Sequence, residues 1–229
     1  MTRFDKTELR LVILRMCVGK CSQFNGICLT ILALLSITMN LFLLFPNLDG
    51  SYLRKDQIGS HGRRMPGVWA GGLMVLLVGI HSTVIGFKVK RLSCCGTCCH
   101  MLLSDTFSIL AMIGAATSLF ISAAGLFSGP YCLYQVEGGA ALEWGYPYRI
   151  IAFPVFNTST SISLPDISPR KTTCIEPPDI ETWNSHFFMA LCLTNILQIV
   201  LCLSQLVNAI LGMLVGHCDR KKLHEVDGK

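Results

Sequence analysis

Four stretches of the chain, about residues 26–45, 67–87, 106–127 and 187–216, contain no Asp, Glu, Lys or Arg. Each reaches or exceeds the roughly 20 helical residues that cross a bilayer core. A backbone that enters hydrocarbon must satisfy its own hydrogen bonds, so runs of this length imply transmembrane helices. The composition agrees: 52% of the 229 residues are hydrophobic and 14% charged, and the charges gather in the segments between the runs. An ordinary soluble enzyme is excluded. The expected fold is an all-α integral membrane protein, a left-handed four-helix bundle.

Pro46-Asn47 follows the first run and Gly129-Pro130 the third, as helix breakers should. The implied order is a terminal segment (1–25), helix 1 (26–45), a short loop (46–66), helix 2 (67–87), a Cys-rich loop (88–105), helix 3 (106–127), a long loop (128–186), helix 4 (187–216) and a tail (217–229). Lys and Arg set the direction. Twelve of the nineteen fall in the terminal segment, the Cys-rich loop and the tail, which places those three in the cytosol. The sequon Asn157-Thr158-Ser159 lies in the long loop and supports an outer position with N-glycosylation at Asn157. The first run ends in Leu-Phe-Pro-Asn without small-residue cleavage chemistry, so a retained span is expected rather than a signal peptide.

The twelve cysteines sort by compartment. Cys132 and Cys174 are the two in the long loop, where thiols oxidise, and are expected to pair. Closing a loop of about 40 residues contributes roughly 4 kcal/mol in the chain-entropy model. On the cytosolic side Cys94, Cys95, Cys98 and Cys99 follow Lys88, Lys90 and Arg91, with Cys17 and Cys21 before helix 1 and Cys218 after helix 4. Cysteines beside basic residues at a membrane edge suit S-palmitoylation, because the acyl chain enters the adjoining leaflet. A four-thiolate zinc site and a Cys-x-x-Cys redox pair are the competing readings. The nesting of Cys95 and Cys98 between Cys94 and Cys99, with no turn to separate two ligand pairs, and the lack of a strand–helix setting count against both.

Small or polar residues recur every seven positions: Gly26, Ala33 and Asn40; Gly72, Gly79 and Gly86; Ala111, Ser118 and Gly125; Asn195, Cys202, Ala209 and Gly216. Such a stripe lets backbones approach where lipid supplies no hydrophobic drive. Gly67 and Gly71 add a GxxxG that suits either the bundle or a partner helix. Asn40, Asn195, Gln198, Gln205 and Asn208 read as interhelical hydrogen-bonding groups. His81 reads as a neutral bundle histidine and Ser104-Asp105 as the cap of helix 3. The fourth run, near 45 Å as a helix, exceeds a hydrocarbon core of roughly 30 Å. Trp183, Phe187 and Phe188 would mark its interface. In the long loop the aromatic stretch Trp144-Gly145-Tyr146-Pro147-Tyr148 can fold, whereas the Ser/Thr/Pro stretch from Asn157 to Thr173 reads as an excursion.

An ordered set of short motifs runs through these features: Met16-Cys17-Val18-Gly19-Lys20-Cys21, Asn40 through Phe45-Pro46-Asn47, Cys94-Cys95-Gly96-Thr97-Cys98-Cys99, Gly129-Pro130-Tyr131-Cys132, Trp144-Gly145-Tyr146-Pro147, Cys174 with Glu176-Pro177, Trp183-Asn184, Gln198, and Asn208 through Gly212 to Cys218. The set resembles the transmembrane-four L-six family of tetraspanin-like surface proteins, over nearly the whole chain from Met16 onward. Met1 to Arg15 precede that family's usual start, which makes Met16 a second candidate initiator. A tetraspanin proper would carry Cys-Cys-Gly in its large outer loop, not at an inner position such as 94–96. A claudin would have paired cysteines in the first outer loop, which here has none.

The resemblance implies a non-enzymatic membrane organiser that associates laterally with receptors or adhesion proteins and influences adhesion, migration, proliferation or trafficking. The partners expected are other integral membrane proteins, the bilayer and, as a further candidate, copies of the same chain; nucleic acid is not among them. The plasma membrane is the expected location, with the endolysosomal membrane as the alternative. No catalytic constellation is present in the sequence, and neither a cofactor nor a metal is expected. A channel or transporter subunit is the alternative reading, motivated by His81 and the amide-rich fourth span; a four-span thiol oxidoreductase, motivated by Cys95-x-x-Cys98, ranks behind it.

Overall fold

The structure is a computed structural model that describes residues 3–88, 94–135, 141–147 and 174–227, with side chains placed at 19–87, 103–135, 141–147 and 174–211. Four long helices dominate: α1 (Arg3–Leu44), α2 (Val75–Lys88), α3 (Cys94–Ser128) and α4 (Ile180–Asp227). A helical turn at Pro66–Val68 and a π-helical turn at Trp69–Met74 lead into α2 without a break. Four segments are long and apolar enough to span a bilayer, Gly19–Leu44, Ser60–Phe87, Leu103–Ser128 and Ile180–Leu211. α1 packs against α2 and α4, and α3 packs against α4, α2 and the π-turn. A ring of four helices results.

The helix ends follow from local chemistry. Pro46 cannot donate to the turn before it, and Asn47 and Leu48 then take positive φ. Gly129, at φ 74°, ends α3 in the left-handed region that glycine enters at no steric cost, and Pro130 prevents continuation. Pro66 opens the helical turn that leads into α2, at a position where its missing N–H would have had no partner. At the other end of the bundle the helices outrun the apolar stretches. α3 already starts at Cys94, so the cysteine stretch expected as a loop is helical at 94–105. That corrects the reading of Asp105. It lies three turns inside α3 and caps nothing; Ser104-Asp105 has the composition of an N-cap, but the backbone hydrogen-bond ladder continues through it.

The core is layered along the bundle. At the loop end Leu43, Phe188 and Leu191 pack with Met39, Leu126 and Phe187. Deeper lies a second apolar layer of Leu29, Ala33, Val75, Val78, Ala111, Ala115 and Cys202. A small head caps the loop end. There β1 (Cys132–Gln135) pairs antiparallel with β2 (Leu142–Gly145), and Leu133 also exchanges backbone bonds with Ile175 and Glu176.

Candidate functional site

The seven-residue stripes meet inside the bundle. A Cβ on Gly79 would stand 2.6 Å from Thr30 Oγ1 and 2.9 Å from Thr30 N. One on Gly26 would stand 2.5 Å from Thr83 Oγ1, and one on Gly86 2.8 Å from Gln23 N. Gly72 lies against Ile37, so the α2 stripe faces α1 along its whole length. Gly26-x-x-x-Thr30 and Gly79-x-x-x-Thr83 cross each other, and both hydroxyls bond back to the glycine carbonyls at 2.9 and 2.8 Å. On α3, Ala111 and Ser118 are wholly buried and Gly125 receives the ring of Phe188. Gly67 and Gly71 also face inward, against Ser36, Asn40 and Leu191 for the first, and Asn195, Ser36 and Ser118 for the second.

Two polar layers enclose the deeper apolar one. In the layer nearer the termini, Gln205 Nε2 donates to Ser22 Oγ at 2.8 Å and to Ser104 Oγ at 3.3 Å. Ser22 donates to the Ser82 carbonyl at 3.3 Å, and Asn25 reaches Ser204 at 3.1 Å. All four helices are joined through one glutamine. In the layer nearer the loops, Asn195 Nδ2 donates to Ser118 Oγ at 3.0 Å and Gln198 Nε2 to the Gly71 carbonyl at 2.8 Å. Asn40, Ser36 Oγ, Ser122 Oγ, Asn195 Oδ1 and Gln198 Oε1 are buried without a hydrogen-bond partner within the protein.

The head is made from both loops. Cys132 and Cys174 are disulfide-bonded, 42 residues apart in sequence with Cα atoms 5.7 Å apart. Tyr131 stacks on Trp144 at 6.0 Å and meets Tyr146 edge-on at 5.1 Å. The Tyr146 hydroxyl accepts the Ser60 N–H at 2.8 Å, fastening the long loop to the short one. Two more ties run the same way, from Asn47 Nδ2 to the Pro178 carbonyl at 3.0 Å and from Tyr52 Oη to Glu176 at 3.3 Å. Burial, and then the Glu176 carboxylate, push the Tyr52 hydroxyl above its ordinary range. Asp49 accepts the Ser51 N–H and hydroxyl, which lowers its carboxyl below the ordinary range. Arg63 pairs with Asp56 across the short loop. Trp183 Nε1 donates to the Phe42 carbonyl at 2.9 Å, and its ring packs with Phe42 and Phe187, anchoring the base of the head.

Of the candidate modification sites, Asn157 lies outside the described residues. Cys94, Cys95, Cys98 and Cys99 occupy the first turns of α3, Cys17 lies in α1 and Cys218 in α4; the backbone is described there but not the side chains. On a helix Cys94 and Cys98 share a face, as do Cys95 and Cys99. Cys21 is half-buried. His81 is half-buried, with the Phe107 ring edge-on at 4.8 Å. Among the described residues no three His, Cys, Asp or Glu groups gather as a metal site. Sequence reasoning missed Ser22 and Asn25, which lie just before the first apolar run, and took Ser104 with Asp105 for the start of helix 3 rather than for an interhelical partner. It also missed the docking of one loop on the other, for which Tyr52, Ser60 and Tyr146 carry no local signal.

The family model described as L6 membrane protein matches residues 16–219. Transmembrane 4 L6 family member 5 of Bos taurus is 37% identical over 212 residues, 90% of this chain and 98% of that protein. Member 19 of Mus musculus is 32% identical over 207 residues, with 89% and 95% covered. Member 1 of Homo sapiens is 31% identical over 211 residues, with 89% and 96% covered. No solved structure matches the chain. With the helical bundle, the disulfide-closed head and the match running from Met16 through nearly the whole chain, the protein belongs to the L6 membrane protein family, the tetraspanin-like four-span proteins.

Proposed function

We propose that the protein is a non-enzymatic membrane organiser, an adaptor that holds receptors or adhesion proteins beside it and thereby modulates adhesion, migration, proliferation or trafficking. The observation that carries this reading is how the bundle's chemistry is distributed. Its small-residue stripes and amides are spent inside, while the outward faces are rows of Leu, Ile, Val and Phe. Close-packing motifs are therefore engaged already, and specificity for a client falls to the head, where Tyr, Trp, Asp and Arg side chains are presented on a disulfide-closed frame. The outward faces then supply lateral contact of low selectivity.

In this reading both termini and the α2–α3 connection are cytosolic, the head faces outward with glycan at Asn157, and the plasma membrane is the working location. The cysteine groups at 94–99, with Cys17, Cys21 and Cys218, carry palmitate and favour ordered lipid. The apolar layer of Leu29, Ala33, Val75, Val78, Ala111 and Ala115 between the two polar layers favours this reading over a transport path. Affinity purification in a mild and a harsh detergent, read by mass spectrometry, tests the proposal. A reproducible set of membrane proteins held only in the mild detergent is expected; a particle that carries none in either detergent would refute it.

A further inference from the structure

Besides Ser122 of α3, four side chains in the loop-side polar layer carry polar atoms that nothing in the protein satisfies: Ser36 and Asn40 of α1, and Asn195 and Gln198 of α4. All four residues are 0% exposed. Leaving such groups unpaired in a low-dielectric interior incurs their desolvation cost with no bond to offset it. The unpaired atoms are grouped. They pack directly against the Gly71 backbone, where a Cβ would stand 2.5 Å from Asn195 Oδ1, 2.8 Å from Ser36 Oγ and 2.9 Å from Ser118 Oγ, too close for any side chain. Oxygens from three helices converge on the fourth, at a π-helical turn that opens the backbone there.

The chemistry of the group narrows its guest. The orientation of Gln198 is fixed, because the Gly71 carbonyl can only accept and so must face the amide nitrogen. Its Oε1 is therefore an acceptor in need of a donor. No Asp, Glu, Lys or Arg lies in this layer among the described residues, so a cation would remain uncompensated in a medium that penalises isolated charge heavily. A neutral donor is required. The group lies between the Leu43–Phe188–Leu191 layer on the loop side and the Leu29–Val75–Ala115 layer on the other, which separates it from bulk solvent. We propose that Ser36, Asn40, Asn195 and Gln198 form an intramembrane site for bound water, which donates to the amide oxygens and bridges α1 to α4 past Gly71. Water combines two donors with two acceptors and typically makes about three hydrogen bonds when buried, matching a cluster in which amide oxygens predominate.

Two leucines supply a matched test. Leu191 borders the site, its Cδ2 and the Asn40 Cβ both standing 2.9 Å from where a Gly67 Cβ would be. Leu29 lies in the apolar layer, and both leucines are 0% exposed. The full chain in lipid nanodiscs is mixed with ¹⁸O-water and irradiated with X-rays, which turn bound water into hydroxyl radical that oxidises the side chains it touches. Oxidation carrying ¹⁸O is expected at Leu191 several-fold faster than at Leu29, and Ser36→Ala and Asn40→Leu should each slow it. Leu191 as silent as Leu29 would overturn the proposal, since the amides would then pair directly with one another. Equal labelling of both would overturn it too, because water would then fill the whole core rather than this site. The wild-type comparison decides even if Asn40→Leu fails to fold.

Discussion

Gln205 shows what one side chain can do in a medium without water. Its single amide nitrogen reaches Ser22 on α1 and Ser104 on α3, and Ser22 passes the connection to α2 through the Ser82 carbonyl. Gln205→Leu keeps the volume and removes these two bonds together with the one its Oε1 accepts from Asn25 Nδ2 at 3.5 Å. Interhelical bonds of this kind contribute about 0.6–1.7 kcal/mol. The variant is expected to lose about 1–2 kcal/mol, read as a lower midpoint of unfolding when SDS is titrated into mild-detergent micelles, with helix content unchanged beforehand. Asp49 acts at the surface and by a different rule. Its carboxyl is held below the ordinary range by the Ser51 N–H and hydroxyl, so the support it gives to the turn is present above that range and lost as pH falls through the lowered value. Amide exchange at residues 51–57 should accelerate, relative to its intrinsic rate, on strong acidification, and Asp49→Asn should abolish that pH dependence.

At the scale of elements, the α1–α2 contact depends on the absence of side chains. Gly79→Val would drive a branched carbon into Thr30 N and the Gly26 carbonyl, backbone that cannot swing aside. Overpacking of this sort costs about 1–3 kcal/mol. The variant is expected to separate α1 from α2, measured as a longer spin–spin distance between labels on outward positions such as Ile31 and Leu77, while Ala33→Gly leaves that distance unchanged. Much of this architecture was legible beforehand. Four spans follow from hydropathy summed over windows longer than any local irregularity, and the Cys132–Cys174 bridge follows from there being two cysteines in one loop. The start of α3 was not legible, because Gly96 and Thr97 are weak helix formers and the ladder through them is decided by its continuation rather than by propensity. The docking of Tyr146 on Ser60 was likewise out of reach, since it joins residues 86 apart whose neighbours give no pattern. Asn40 was recognised as a polar member of the α1 stripe, but its lack of a partner within the protein depends on where Gly67 and Leu191 come to lie.

For the whole molecule, the division between an inward-facing polar economy and an outward apolar surface predicts how partner capture responds to mutation. Leu193, Leu197 and Val200 lie on the exposed face of α4, each about half exposed. Changing all three to Ala should leave the melting transition within about 1 kcal/mol, because the residues pack on lipid before and after. Removal of the head's aromatic frame by Trp144→Ala and Tyr146→Ala should instead diminish the recovered partner set, with the spans intact by circular dichroism. Partners lost through the α4 face and retained with the altered head would reverse the assignment of specificity. The placement of the amides has a further consequence during synthesis. Asn195, Gln198, Gln205 and Asn208 all reside on α4, the fourth span to leave the ribosome, whereas α1 and α2 already fit each other through glycine. Until that span arrives Asn25 and Ser104 lack the partners that Ser204 and Gln205 supply, while Ser22 already has the Ser82 carbonyl, so the polar layer nearer the termini is completed last.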